Sequence, residues 1–311
     1  MNNIKKIGLT ALGSALVATS SYAGDLSVTG AATITMVGQE GQVSNNQFSM
    51  ADSITASGSA EMDNGWTVTA SFEVDGDDAG LDSRSIKIDM GDSGVLTFAG
   101  HGSSGHVNAI DDKTPSANEE SWALLTNADG ATNGNSTVDN NFTYTNPLSG
   151  IDGLSMTVTY QPSDASNVEG TVEAGLTYTG FDGLTVGFGT GENKAATAQV
   201  SNTAVYATYA IDAITLGAQM NESDSDTASA DEDFSAWGIS YAVSDDLSVS
   251  LNASEVDYEN TSKENQEAMG INFSYTMGSM TISGTHNEMD NIGGSSADDR
   301  SGYELNLKFA F

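Results

Sequence analysis

The residues of this chain that could do chemistry are overwhelmingly acidic. One internal group is Asp111, Asp112 and Lys113, followed by Glu119 and Glu120. Carboxylates gathered in this way set up a negative local field and offer the hard oxygen atoms that Ca²⁺ takes. A structural Ca²⁺ at Asp111, Asp112, Glu119 and Glu120 is the one cofactor to consider; no other is expected. His101 and His106 flank Gly102, Ser103, Ser104 and Gly105, but two imidazoles fall short of the ligand set of a zinc centre. His286 stands apart, no HExxH run occurs, and serine is too frequent for any one to mark a triad. An enzyme is not expected.

Of 311 residues, 43 are Asp or Glu and 9 are Lys or Arg, a formal net charge of -34. So few cations cannot build a phosphate-binding face, which excludes nucleic acid as a partner. The chain has no cysteine, which removes disulfide scaffolds, thiolate metal sites, cysteine nucleophiles and cysteine-linked lipid anchors. A mean hydropathy of -0.25 excludes a helical membrane bundle, which needs several apolar runs of about 20 residues.

Lys5 and Lys6 precede an apolar run from Ile7 to Ala18, and Ser21 and Ala23 supply a small-x-small end. That is the pattern of a cleaved secretory signal over residues 1–23, with a run too short to span a bilayer. Cleavage would remove two of the nine cations and no acid. Residues 24–311 are then an exported and still more acidic domain.

The elements that must position the acids follow from a two-residue period. Leu26, Val28, Gly30, Ala32, Ile34 and Met36 share one face, against Ser27, Thr29, Thr33 and Thr35 on the other. Trp66, Val68, Ala70 and Phe72 alternate in the same way, as do Leu154 to Tyr160 and Leu247 to Ala253. Such alternation means half-buried strands whose second face is wet. Tight turns are expected around Asn64, Asp92, Gly150, Asp182, Asp212, Asp245 and Gly278, where Gly, Asn and Asp accept positive φ. Longer polar segments separate them, and one, from about Gly100 to Ser136, exceeds the rest. Seven tight turns and eight long loops imply sixteen strands. At roughly 10 residues each, sixteen strands can cross a bilayer with tilt, with short turns on one rim and long loops on the other.

Tyr144, Tyr178, Tyr209, Tyr241 and Tyr275 precede tight turns and Trp66 follows one, the placement of an aromatic girdle at a membrane interface. The closing segment, Tyr303, Leu305, Leu307, Phe309 and Phe311, alternates and ends on Phe. Such an ending is the expected signal for barrel-assembly machinery. The fold class is all-β, a sixteen-stranded antiparallel transmembrane barrel of the bacterial outer membrane.

Several segments carry a family resemblance. Leu26 to Ala32, Gln47 to Ser49, Ser57 to Ser59, Asn64 to Trp66, Ala70 to Phe72, Met90 to Asp92 with Gly94, and Leu305 to Phe311 resemble the trimeric general porins of alphaproteobacteria. The resemblance implies a homotrimer for passive diffusion of small hydrophilic solutes, with the long third loop, here about 100–136, folded into the lumen. It makes Asp111, Asp112, Lys113, Glu119 and Glu120 constriction residues. Inward parity is expected for Glu61, Glu73, Asp89, Asp139, Glu173 and Glu255, and for Lys87 and Lys308, while Arg84 stands near a strand's loop-side end. Glu61, Glu73, Lys87, Asp89 and Arg84 complete the expected pore set.

This chain departs from the family at the second strand. Ser49, Met50, Ala51, Asp52 and Ser53 stand where those porins carry arginines, so a cation-favouring pore is expected. Small outward residues on the first three strands, Gly30, Ala32, Ala56, Gly58, Ala60 and Ala70, mark the expected trimer interface. Expected partners are outer-membrane lipid, the barrel-assembly machinery, further copies of this chain, small hydrophilic solutes and cations. Two other readings are an acidic Ca²⁺-binding adhesin, which lacks GGxGxD repeats and an EF-hand loop, and a barrel enzyme.

Overall fold

The computed structural model describes residues 24–41, 47–76, 81–102, 104–131, 139–163, 169–194 and 199–311. The expected signal segment, residues 1–23, lies outside them. Sixteen strands run in sequence: β1 (Leu26–Gln39), β2 (Gln47–Glu61), β3 (Thr67–Asp75), β4 (Leu81–Asp89), β5 (Val95–His101), β6 (Asn141–Pro147), β7 (Leu154–Gln161) and β8 (Thr171–Phe181). They continue as β9 (Leu184–Lys194), β10 (Gln199–Ile211), β11 (Ile214–Ser225), β12 (Glu232–Ala242), β13 (Leu247–Tyr258), β14 (Gln266–Met277), β15 (Met280–Asp290) and β16 (Arg300–Ala310). Each pairs antiparallel with its neighbours, and β1 pairs with β16, so the sheet closes into a barrel with no free edge. Closure is what permits a sheet to stand in lipid, where an unpaired backbone group has no water to bond.

Cross-strand partners share a face, and the register sorts the side chains. Ile34 lies opposite Leu307 and Met50, Ile86 opposite Ala70 and Phe98, and Leu251 opposite Ile239 and Ile271. These apolar residues stay open, Met50 at 59% and Ile271 at 60%. An apolar band around a closed wall is a bilayer-facing surface. The other face turns inward, and there Asn252, Asn272 and Asn287 are buried.

The short connections fall where the turn residues predict. Gly183 (φ 75°) and Asp212 (φ 51°) supply the left-handed backbone of two of them. Beside these turns Tyr209 pairs with Leu184 and Leu216, and Tyr241 with Ile214 and Val249, placing both rings on the outer face. On the other rim the strands outrun a span of ten residues: β2 has 15 residues and β10 has 13. The polar stretch from Asn221 to Asp233 is a connection only over 226–231, because Asn221–Ser225 still pair with β10 and Glu232–Asp233 with β11. Ladder hydrogen bonds need no apolar side chain. By contrast β5 and β6 have only 7 residues each, so the wall is low there.

Two of the positions expected to face the pore fall on the outer face. Arg84 pairs with Phe72 and follows the parity of Ile86, next to a register shift between Arg84 and Ser85, and its guanidinium lies over Gly100. A charged head on a long stem reaches the headgroup level from such a place. Glu255 pairs with Ser235 and Glu267 on the face of Leu251 and Ala253. Both therefore leave the inward set.

The seam of the barrel depends on the last residue. Gly30 N–H donates to the Phe311 carbonyl (2.8 Å), and Phe311 N–H donates to the Gly30 carbonyl (2.9 Å). The Phe311 ring covers Gly30 so closely that a Cβ there would sit 2.7 Å from it. Gly30 is thus small because of its own C-terminus. Deleting Phe311 removes both bonds, each worth about 1 kcal/mol, and the ring contact. The expected result is less heat-modifiable barrel in the outer-membrane fraction; an unchanged amount would show that β16 closes without it.

Candidate functional site: a loop laid along the inner wall

Residues 102–140 connect β5 to β6, and their described part runs along the inward face from β8 round to β1. The path begins in a notch. Glu173 of β8 accepts the Val107 N–H at 2.8 Å, and the His106 ring fits over Gly175 and Gly189, with Nε2 3.3 Å from the Phe188 carbonyl. Burial lowers the pKa of His106, partly offset by that carbonyl. Gln219 and Asn221 of β11 next donate to the Asp111 carbonyl, the latter at 2.9 Å. Asn287 of β15 donates to the carbonyls of Glu120 (2.8 Å) and Ala123 (3.0 Å), and Gln266 of β14 to that of Asp129 (2.6 Å). Amide side chains thus replace a strand partner for an irregular backbone.

Three apolar seats reinforce the amide bonds. Val107 and Ile110 pack with Ala204 and Tyr206 of β10, Leu125 with Ala268, Met289 and Ile292, and Trp122 with Phe234, Ala236 and Val256. Trp122 meets Phe234 edge-on at 4.9 Å. Fully burying one such side chain contributes roughly 1.5–3 kcal/mol. These wall residues break the polar-inside rule because the loop, not water, covers them. At the rim, Lys263 lies 3.8 Å from Asp129, 3.7 Å from Glu232 and over the Tyr258 ring, whose hydroxyl donates to Asp129 (2.7 Å). Arg300 is tied to Asp298 and to the Thr126 carbonyl. Two of the scarce cations are spent on fastening the loop.

The acids divide by location. Asp111 is buried against the wall, whereas Asp112 and Lys113 are exposed. Inside this enclosed space, loss of water raises the pKa of Asp112, partly offset by Lys113. Glu119 is raised by burial and then by the charges of Glu304 and Asp112. Glu120 is pushed up to about 7 by burial, with Asp112 and Glu119 adding to it. The mutual effects show Asp112, Glu119, Glu120 and Glu304 of β16 sharing one field. Glu304 is not among the expected pore residues, although it shares the inward parity of Lys308 on the same strand and alternates with Tyr303 and Leu305.

The remaining expected pore residues lie apart from that group. Glu73 accepts from Ser83 Oγ (3.3 Å), Asp89 caps the β4–β5 turn by accepting the Gly91 N–H (3.0 Å), and Glu61 ends β2 at the short-turn rim. Lys87, opposite Thr69 and Thr97, is exposed on the inner face, as the pairing of Ile86 and Ile88 on the outer face requires. Asp139 is bound to His101 (2.7 Å) and to the Gly102 N–H (3.2 Å), joining the two ends of the loop. The inward face of β1 to β7 is mainly hydroxyls, though Thr159 is itself buried: Ser27 bonds Ser57 (2.7 Å), Thr143 bonds Thr159 (3.0 Å) and Thr145 bonds Thr157 (3.1 Å). Among the described residues no group of three or more His, Asp or Glu is arranged to hold a metal ion.

A closed sixteen-stranded wall, apolar outside and wet within, defines a transmembrane channel barrel. The family model for Gram-negative porins matches residues 8–294, and the chain belongs to that family of outer-membrane channels. Its fold is shared with Salmonella typhi OmpF in complex with daunomycin (TM-score 0.73, 15% identity, 93% of this chain and 98% of that one). Similar too are OmpT of Vibrio cholerae in its trimer form (0.72, 13%, 93% and 100%) and an anion-selective porin from Comamonas acidovorans (0.70, 13%, 92% and 99%). No curated protein sequence matches it. Membership of a porin family sets aside the adhesin reading, and the family and fold are those of channels rather than enzymes.

Proposed function

We propose that this porin is a trimeric passive channel favouring cations over anions, with residues 102–140 as its constriction. The observation that carries the reading is the placement of exposed Asp112 and half-buried Glu119 and Glu120 on the loop, with inward Glu304 near Glu119, in a barrel whose β1–β7 wall has no inward arginine among the described residues. Of the cations whose side chains are described, Arg84 is outside the lumen and Lys263 and Arg300 are ion-paired, leaving Lys87, Lys113 and Lys308 to oppose the acids. Low-dielectric walls focus such a field, enriching cations and depleting anions. Ion selectivity belongs to these charges and not to the fold, which an anion-selective porin shares. The test is the reversal potential of the purified channel across a bilayer under a KCl gradient. A cation-directed potential is expected, and an anion-directed one overturns the reading.

Self-association through the outer face of β1 to β3 has its own support. Asp52 lies opposite Ala32 on that face, between the apolar neighbours Met50 and Ile54. A carboxylate in an apolar band is costly against lipid and acceptable against protein. The low wall at β5 and β6, shorter than the roughly 9–11 residues a bilayer span needs, favours the same partner. Ala56, Gly58, Ala60 and Ala70 cluster by pairing, and space above Gly58 is open to 4 Å. Gly58→Trp is expected to abolish the trimer band on mild-detergent gels; a persistent trimer would move the interface elsewhere.

A further inference from the structure

Among the described residues Glu173 is the most enclosed carboxylate: it is inward on β8 and 0% exposed. A buried acid retained without an ion pair asks for a purpose, since desolvation penalises it unless hydrogen bonds answer it. Its surroundings supply one. Oε2 accepts the Val107 N–H at 2.8 Å, at the start of a turn closed by Ala109 N–H to the Gly105 carbonyl and Ile110 N–H to the Val107 carbonyl, both 3.0 Å. A Cβ at Gly105 would stand 2.2 Å from the carboxylate, so a side chain there would push the Glu173 head off its seat. The loop is thus built around this side chain, and Asp112 emerges one turn later.

We infer that Glu173 is a positioning residue of the channel. Its carboxylate fixes the first turn of the loop and so sets where Asp112 and Lys113 stand in the lumen; it is not itself one of the charges that permeating ions meet. The inference rests on the constriction reading above. A charge-assisted bond of this kind holds the loop tightly enough that its loss makes undocked excursions on the order of tenfold more frequent.

The test compares Glu173→Ala, Glu173→Gln and Gly105→Ala in single-channel recordings, each first checked for heat-modifiable barrel. Glu173→Ala and Gly105→Ala are expected to show the tenfold rise in open-channel fluctuations and a blurred exclusion limit for polyethylene glycols. Glu173→Gln, which keeps an acceptor oxygen, is expected to restore quiet conduction with the wild-type reversal potential. Quiet conduction in Glu173→Ala, or a reversal potential shifted in Glu173→Gln with fluctuations unchanged, would overturn the assignment. Neutralising Asp112, Glu119 and Glu120 alongside separates the two ideas. A shift there with a quiet Glu173→Ala rejects only the anchor, and no shift in either rejects the constriction with it.

Discussion

Converting Asp112, Glu119 and Glu120 together to Asn and Gln is expected to remove most of the cation preference seen in 0.1 M salt. At pH 8 and above, where Glu120 is mostly ionised, three unit charges at an illustrative separation of about 8 Å in a water-like dielectric would each contribute about 0.5 kcal/mol, together roughly a tenfold change in local cation concentration. The Debye length falls from about 10 Å at 0.1 M to about 3 Å at 1 M, so wild type and variant should converge as salt is raised. Asp111→Asn serves as the contrast, because Asp111 is buried against the wall and its loss should change the reversal potential little. A triple variant as selective as wild type would move selectivity to Glu61, Glu73 and Asp89 on the wall.

Acidification should produce much of the same loss without mutation. Glu120 is pushed up to about 7 by burial and by Asp112 and Glu119, which are themselves raised. Lys113 beside Asp112 is the near opposing charge. The docked loop therefore binds a proton more tightly than the free loop, where a Glu titrates at 4.5. With more protons bound in the docked state, docking weakens as pH rises from about 4.5 to about 7 and strengthens as pH falls through that window. Between pH 8 and pH 5.5 the cation preference should fall, with a midpoint near 7. Glu120→Gln should remove that midpoint and hold selectivity near its low-pH value. A flat profile over this range in wild type would show that Glu120 does not face the ion path.

How much of this was legible beforehand depends on the range of the interaction involved. Alternation is local: a strand residue's face follows from its neighbours two positions away, so the turns, the sixteen strands and the inward direction of Lys87 and Glu73 could be read from the chain. Arg84 and Glu255 share that legibility, for Ile86 and Ala253 already place them outward. Gly30 does not, because its smallness answers the Phe311 ring, a contact 281 positions away that only barrel closure creates.

By itself, then, the sequence determined a closed barrel with an acidic, hydroxyl-rich interior and one long insertion, since strand period and turn chemistry are short-range. Only the tertiary structure decided which acids stay open in the lumen. An irregular loop must find partners for its backbone, and it finds them in Gln219, Gln266 and Asn287 and in the carboxylate of Glu173. That docking withdraws Asp111 and Glu173 from the lumen, leaves Asp112 exposed, and brings Glu304 of the last strand into the field of Glu119. Pairings between residues 66 to 185 positions apart carry no signal in a period of two.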